Sequence, residues 1–140
     1  MISSKKNYVA DTDFFIGYFR GEANAVATFQ KLRQNQLFLS TYTYFELLEG
    51  EYYRAPGRVG AMRLWLDNFT VLPFGTGIAL VAARHQARLR NSRQALMSEG
   101  DLIIGATAVH YGFSLLTRNV KHFASMQKAE KLDIEDWAAV

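Results

Sequence analysis

The chain of 140 residues contains no cysteine. Disulfides, zinc–thiolate centres and thiol nucleophiles are therefore excluded, and a reducing compartment is compatible with the composition. No apolar run approaches the roughly 18–20 residues that span a bilayer. The opening MISSKKNYVA carries two lysines but no apolar signal core, so no export signal is read and a cytoplasmic location is expected. Internal repeats, low-complexity tracts and linker-like stretches are also missing. A single domain over residues 1–140 is expected, long enough to bury a real core.

What is present is ordinary for a folded protein, so composition alone does not discriminate among functions. The formal net charge is +3, a sign that permits a phosphate-rich partner without requiring one. The placement of charge says more. Arg84, Arg88, Arg90 and Arg93 follow one another with no acid among them, while acids gather near 46–51 and 130–136. Such an arginine face can track a nucleic-acid backbone; its plainer reading is a solvated helix face.

Hydrophobic periodicity and breakers predict alternating strands and helices. Residues 8–10 read as a strand, 12–20 and 23–34 as helices, 36–40 as a strand, and 41–53 and 58–69 as helices. A strand over 71–74 contains Pro73, which predicts an edge position. A long helix is expected from Gly75 and Gly77 to about 97, and another over 100–111 ending at Gly112. A strand over 113–117, a short helix over 119–126 and a last strand near Leu132 and Ile134 complete the chain. Strands separated by helices imply an α/β fold with a mostly parallel sheet of four to five strands covered on both faces. Ligands of such sheets bind beyond the carboxyl ends of the strands.

Asp11, Glu46, Asp101 and Asn119 each follow a short apolar run where a helix begins, which puts all four near that edge. A hard cation such as Mg²⁺ takes oxygen ligands, keeps several waters and uses one or two direct carboxylates. Acids holding such an ion suit phosphodiester hydrolysis. Each residue also has an ordinary explanation. Asp11 and Asn119 are good N-caps. Ser98-Glu99-Gly100-Asp101 and Thr43-Tyr44-Phe45-Glu46 both fit capping boxes. Two details favour a site. Glu46 sits a full turn inside its helix between apolar neighbours, where a carboxylate needs a partner. Asp101 directly precedes the core-facing run Leu102-Ile103-Ile104.

Four segments, in order, resemble the blocks of PIN-domain nucleases. YVADTDFFIGYF is similar to their opening strand and helix with an Asp-Thr signature, and STYTYFELLEG to the block carrying a Glu. SEGDLIIGATAVHYG resembles the Asp-led third helix, and LLTRNVKHF the Thr-x-(Asp/Asn) turn after a strand. The closing DIEDW is similar to the tail of VapC-type toxins. The resemblance covers essentially the whole chain and implies a three-layer α/β/α sandwich. It also implies a metal-dependent endoribonuclease, the toxin of a type II toxin–antitoxin pair, hydrolysing RNA by a metal-activated water. Asp11, Glu46 and Asp101 would be the residues of an Mg²⁺ or Mn²⁺ site, with Asn119 at a fourth catalytic position where Asp also occurs. Thr117 would assist the site and, with Arg118, meet the substrate. Thr12 would support the Asp11 loop. Asp13 stands where Asn or Ser is commoner, and either adds charge to the site or faces solvent; Glu99 is read mainly as an exposed first-turn acid. A small antitoxin and a homodimer are the implied partners, with no membrane association.

His85, His110 and His122 lack ligand-like spacing and read as structural or exposed. Tyr42, Tyr44, Tyr52, Tyr53 and Trp65 are read mostly as core, with a partner groove or dimer face as the other uses. Asp11-Thr12-Asp13 superficially resembles the Asp-x-Asp of haloacid-dehalogenase phosphatases, but Phe15 occupies the place of their Thr or Val. A receiver domain lacks its Asp at the end of the third strand. A stand-alone ribonuclease and a non-catalytic PIN-like domain that binds RNA or protein remain as alternatives.

Overall fold

The structure, a computed structural model, describes residues 2–139. Five strands form one parallel sheet in the order β3-β2-β1-β4-β5. They are β1 (Tyr8–Ala10), β2 (Leu37–Ser40), β3 (Thr70–Leu72), β4 (Ser114–Leu116) and β5 (Ile134–Glu135). The α-helices are α1 (Thr12–Phe19), α2 (Ala23–Lys31), α3 (Thr41–Arg54), α4 (Val59–Leu66), α5 (Thr76–Asn91), α6 (Glu99–Tyr111) and α7 (Ala124–Ala129). The expected α/β/α layering is what the chain adopts.

The two-residue period of the strands divides the core. Val9 and Leu115 point to one face, where Ile78, Ile104, Phe123 and Met126 cover them. Tyr8, Ala10, Leu39 and Leu116 point to the other, against Phe14, Phe15, Leu66 and Trp137. Each fully buried aliphatic side chain contributes about 1.5–3 kcal/mol. On the second face, Trp65 stacks with Tyr18 and Phe29 and meets Phe15, Phe19 and Phe69 edge-on.

Several boundaries differ from the sequence reading, each for a local reason. Ser40 caps α3, accepting the Thr43 N–H at 3.0 Å, so Thr43 lies in the first turn, fully buried, and does not begin a capping box. Helix α2 ends at Lys31 because Leu32 is extended, and a 3₁₀ turn, Gln34–Gln36, follows. Helix α5 ends at Asn91, and Arg93 turns left-handed with φ 55°. The next segment is instead pinned by Gln86, whose amide donates to Met97 O and accepts from Met97 N. Pro73 lies just beyond β3, which is an edge strand as its proline suggested. A 3₁₀ turn, Val120–Phe123, precedes α7.

Successive crossovers place β2 and β4 on opposite sides of β1, so the chain reverses direction of winding there. The crevice at such a switch point is where parallel sheets bind ligands. Asp11 immediately follows β1 and Thr117 immediately follows β4. The Asp11 N–H continues the ladder to Leu116 O at 2.9 Å.

Candidate active site

Asp11 is the N-cap of α1, and its Oδ1 accepts the Thr12 N–H at 2.7 Å. Its Oδ2 accepts the Thr117 hydroxyl at 2.8 Å. The capping role and the site role therefore coincide in one residue. Burial is the main force on its carboxyl, with the Asp13 charge next; against the hydrogen bonds to Thr117 and Thr12, these push it up to about 7. Asp101 adds to the same upward push, which places its charge within reach of Asp11.

Asp13, in the first turn of α1, belongs to the cluster. Its Oδ2 lies 3.2 Å from the Thr117 hydroxyl and accepts the Arg118 N–H at 3.2 Å and Asn119 Nδ2 at 3.0 Å. Its Oδ1 accepts the Trp137 indole N–H at 3.0 Å. Burial raises its carboxyl too, opposed by those donors and the Arg118 charge. Thr117 has one hydroxyl proton for two carboxylates, and the shorter contact assigns it to Asp11. The Thr117 oxygen also accepts the Asn119 N–H at 3.0 Å.

Glu46 joins through Thr12, whose hydroxyl donates to Glu46 Oε1 at 2.6 Å and lies 3.0 Å from Thr43 Oγ1. Thr12 thus ties two acids together, more than the loop support expected of it. Asp101 sits in the first turn of α6, where Ser98 accepts its N–H at 3.3 Å. Half of the expected capping box there is present. His122, exposed as its sequence reading allowed, has Nδ1 3.3 Å from Asp101 Oδ2. Glu99 is exposed, as its first-turn reading required. Tyr42 stands beside these acids, its ring against Gly100, where an added Cβ would approach Tyr42 Cε1 to 2.6 Å. Burial and the charges of Glu46, Glu99 and Asp101 raise its phenol.

The structure does not gather every predicted residue equally. Asp11, Thr117 and Asn119 are directly hydrogen-bonded, Glu46 is linked through Thr12, and Asp101 is a neighbour by charge. The Arg118 guanidinium turns away, donating to Glu22 at 3.0 Å and lying 5.2 Å above the Trp137 ring. Asn119 does not cap with its side chain, because its amide donates to Asp13. Arg84 and Arg88 both bond Glu130 at 2.6 Å rather than standing free to track a polymer. Fully buried His85 completes that patch, 3.0 Å from Ser125 Oγ and 3.4 Å from Glu130. Asp13 and Trp137 are the functional candidates least visible in sequence, because their partners lie more than 100 residues away along the chain.

The donor set is entirely oxygen, and the buried Asp11 carboxyl is raised further by the charges of Asp13 and Asp101, a set of donors that fits a hard divalent cation. Among the described residues no three acid or histidine side chains form a ready-made chelating group, so an ion here would keep much of its water. A separate groove of about 680 Å³ lies between α1, α3 and α4, floored by Ile16, Leu47, Met62 and Trp65 and rimmed by Arg20 and Arg58.

A model of the PIN domain matches residues 8–129. The chain is 32% identical over 131 residues to Ribonuclease VapC1 of Rickettsia felis, covering 90% of this chain and 95% of that one. Identity to Ribonuclease VapC19 of Mycobacterium tuberculosis is 29% over 115 residues, 81% of this chain and 89% of that one. Among solved structures, VapBC-1 from nontypeable Haemophilus influenzae superposes with a TM-score of 0.79 at 25% identity, covering 94% and 98%. DNA-bound VapBC from Salmonella typhimurium gives 0.80 at 21%, covering 95% and 99%. The matched span holds four of the five strands and the sheet edge from Asp11 to Asn119, and with them the acidic crevice: the chain belongs to the PIN-domain family.

Proposed function

We propose that this chain is a metal-dependent endoribonuclease acting as the toxin of a toxin–antitoxin pair. The observation that carries the reading is geometric: at the switch point of the sheet Asp11 is bonded to Thr117, Glu46 is tied to the Asp11 loop through Thr12, and Asn119 joins them through Thr117 and Asp13. A bound Mg²⁺ or Mn²⁺ supplies Lewis-acid polarisation of the phosphodiester and a more acidic attacking water. Asp11, Asp101 and Glu46 would hold that ion, directly or through water. Thr12 and Thr117 keep the Glu46 and Asp11 carboxylates from rotating, Glu46 through Oε1 and Asp11 through both oxygens, each of which keeps a lone pair beyond its one protein donor. Thr117 also spaces Asp11 from Asp13. Asn119 stands beside them as a neutral polar group, which keeps the site's charge lower than a fifth acid would. Arg118 meets a phosphate only after leaving Glu22, and the backbone N–H at 118 is already engaged by Asp13.

The groove between α1, α3 and α4 suits an amphipathic helical segment of an antitoxin, its apolar face on Trp65 and Met62 and its acids toward Arg20 and Arg58. Exposed Phe45, Phe74 and Leu80 supply apolar surface for pairing of two copies. No described helix is long and apolar enough to cross a membrane, and the proposed site of action is the cytoplasm.

The test is cleavage of a total-RNA pool by purified protein with Mg²⁺, with Mn²⁺ and with EDTA. Discrete metal-dependent cuts are expected. Asp11→Asn and Asp101→Asn each lose a term worth several kcal/mol, a fall in rate of about 100-fold or more. Cleavage that survives both substitutions, or folded antitoxin-free protein that never cuts, overturns the reading.

A further inference from the structure

We propose that Trp137 is a positioning residue of the site: its indole N–H holds Asp13, and Asp13 in turn fixes the rotation of the Asn119 amide by accepting from its NH₂. This rests on the nuclease reading for its functional consequence, though not for its geometry.

Asp13 Oδ1 takes the Trp137 N–H, and Oδ2 takes the Arg118 N–H and Asn119 Nδ2. A carboxylate bonded in this way is poorly placed to ligate an ion as well. It acts instead as a fixed acceptor that decides which end of the Asn119 amide it receives. One Nδ2 hydrogen is bonded there, which fixes the rotation of the amide and turns its oxygen away from Asp13, free to accept from water or ligand. Without an anion at 13 the amide can rotate, and the position loses its polarity.

Trp137 is built for this task. It is 3% exposed, packed edge-on against Phe14 at 5.9 Å, with its N–H as the one strong donor on the ring. Gly17, four residues after Asp13 on the same face of α1, makes room for it: an added Cβ would approach Trp137 Cη2 to 2.7 Å. Arg118 covers the other side of the indole. A phenylalanine would fill much of the same space but would leave Asp13 Oδ1 without its donor. Groups around a site that orient those touching the ligand are typically worth 10- to 100-fold, so about 10-fold in kcat is the expected size.

The experiment compares wild type, Trp137→Phe, Asp13→Asn and the double variant by RNA cleavage and by ¹H–¹⁵N NMR of metal-free protein. Trp137→Phe should lower kcat about 10-fold with KM within about twofold, and should shift the Asn119 side-chain amide signals. Asp13→Asn leaves the tryptophan packing in place and should shift both the Trp137 indole and the Asn119 amide signals. It therefore serves even if Trp137→Phe folds poorly. The double variant should be no slower than Asp13→Asn alone. Multiplicative losses in the double variant, or unmoved Asn119 signals in the variants, overturn the positioning role. If wild type cleaves no RNA, the nuclease reading fails separately, and the NMR signals still decide whether Trp137 sets the Asn119 amide.

Discussion

Asp11 controls how the site responds to pH. Its carboxyl stands at about 7 in the folded chain against an ordinary 3.8, so the folded state binds the extra proton. The resulting stabilisation is complete below about pH 4 and is lost as pH rises through 7. Asp13 is displaced in the same direction. Metal-free protein is therefore expected to melt at progressively lower temperature between about pH 5 and pH 8, and Asp11→Asn should flatten that slope. Mg²⁺ competes with the proton, so its stabilising effect, read as a shift in Tm, should be large at pH 8 and small near pH 5. Equal shifts at both ends would show that Asp11 does not face the ion. Asp11, Glu46 and Asp101 could be nominated from the sequence because residue type and position relative to apolar runs single them out. Asp13 was left open, since its side chain is decided by donors from 117–119 and 137.

At the scale of elements, α5 and α7 are joined by Glu130, whose side chain is 5% exposed and takes Arg84 and Arg88 at 2.6 Å each. Burial pushes its carboxyl upward, but the two arginines, assisted by His85, outweigh it and hold it below the ordinary range. Glu130→Ala should cost about 1–3 kcal/mol in urea unfolding, between the values of exposed and buried pairs, because both guanidinium groups are half exposed while His85 loses a buried partner. The contribution of Glu130 is present above the ordinary carboxylate range and is lost as pH falls through its lowered value, opposite in sign to Asp11. Helix α6 offers a second check. A Cβ at Gly105 would run into Met126 and come within 3.2 Å of Phe123, both fully buried, so Gly105→Ala should cost about 1–3 kcal/mol. The nearest atoms to a Cβ at Gly77 in α5 belong to the ring of His110, an exposed side chain that can swing aside. Gly77→Ala should then be neutral or stabilising, because alanine is the better helix former. Helix existence was readable from period and breakers; the early end of α5 was not, because the pinning of Met97 by Gln86 is a contact between segments.

At the scale of the molecule, the proposed activity would bring a chain of net charge +3 to a polyanion. RNA affinity is expected to fall linearly in log–log form as salt rises, with a shallow slope, since Arg84 and Arg88 are neutralised internally by Glu130 and Arg118 by Glu22. Filter binding of catalytically silent Asp11→Asn across a salt series checks this. A slope that corresponds to many phosphates would mean that these arginines leave their partners on binding. Glu22→Gln should release Arg118 and lower KM by a few-fold without raising kcat, about 1 kcal/mol of uniform binding.

Alternating apolar runs, caps and breakers were enough to determine a parallel α/β sheet, the order of its elements and the edge on which its acids lie, because periods of 2 and 3.6 are properties of the local chain. Which acids meet was decided only by tertiary structure. The strand order places β1 beside β4, and this brings Thr117 and Asn119 to Asp11 and Asp13 across more than 100 residues. The same closure brings Trp137 under the site and Glu130 over His85. Contacts of that range depend on where the crossovers deliver each strand, and the local pattern carries no record of it.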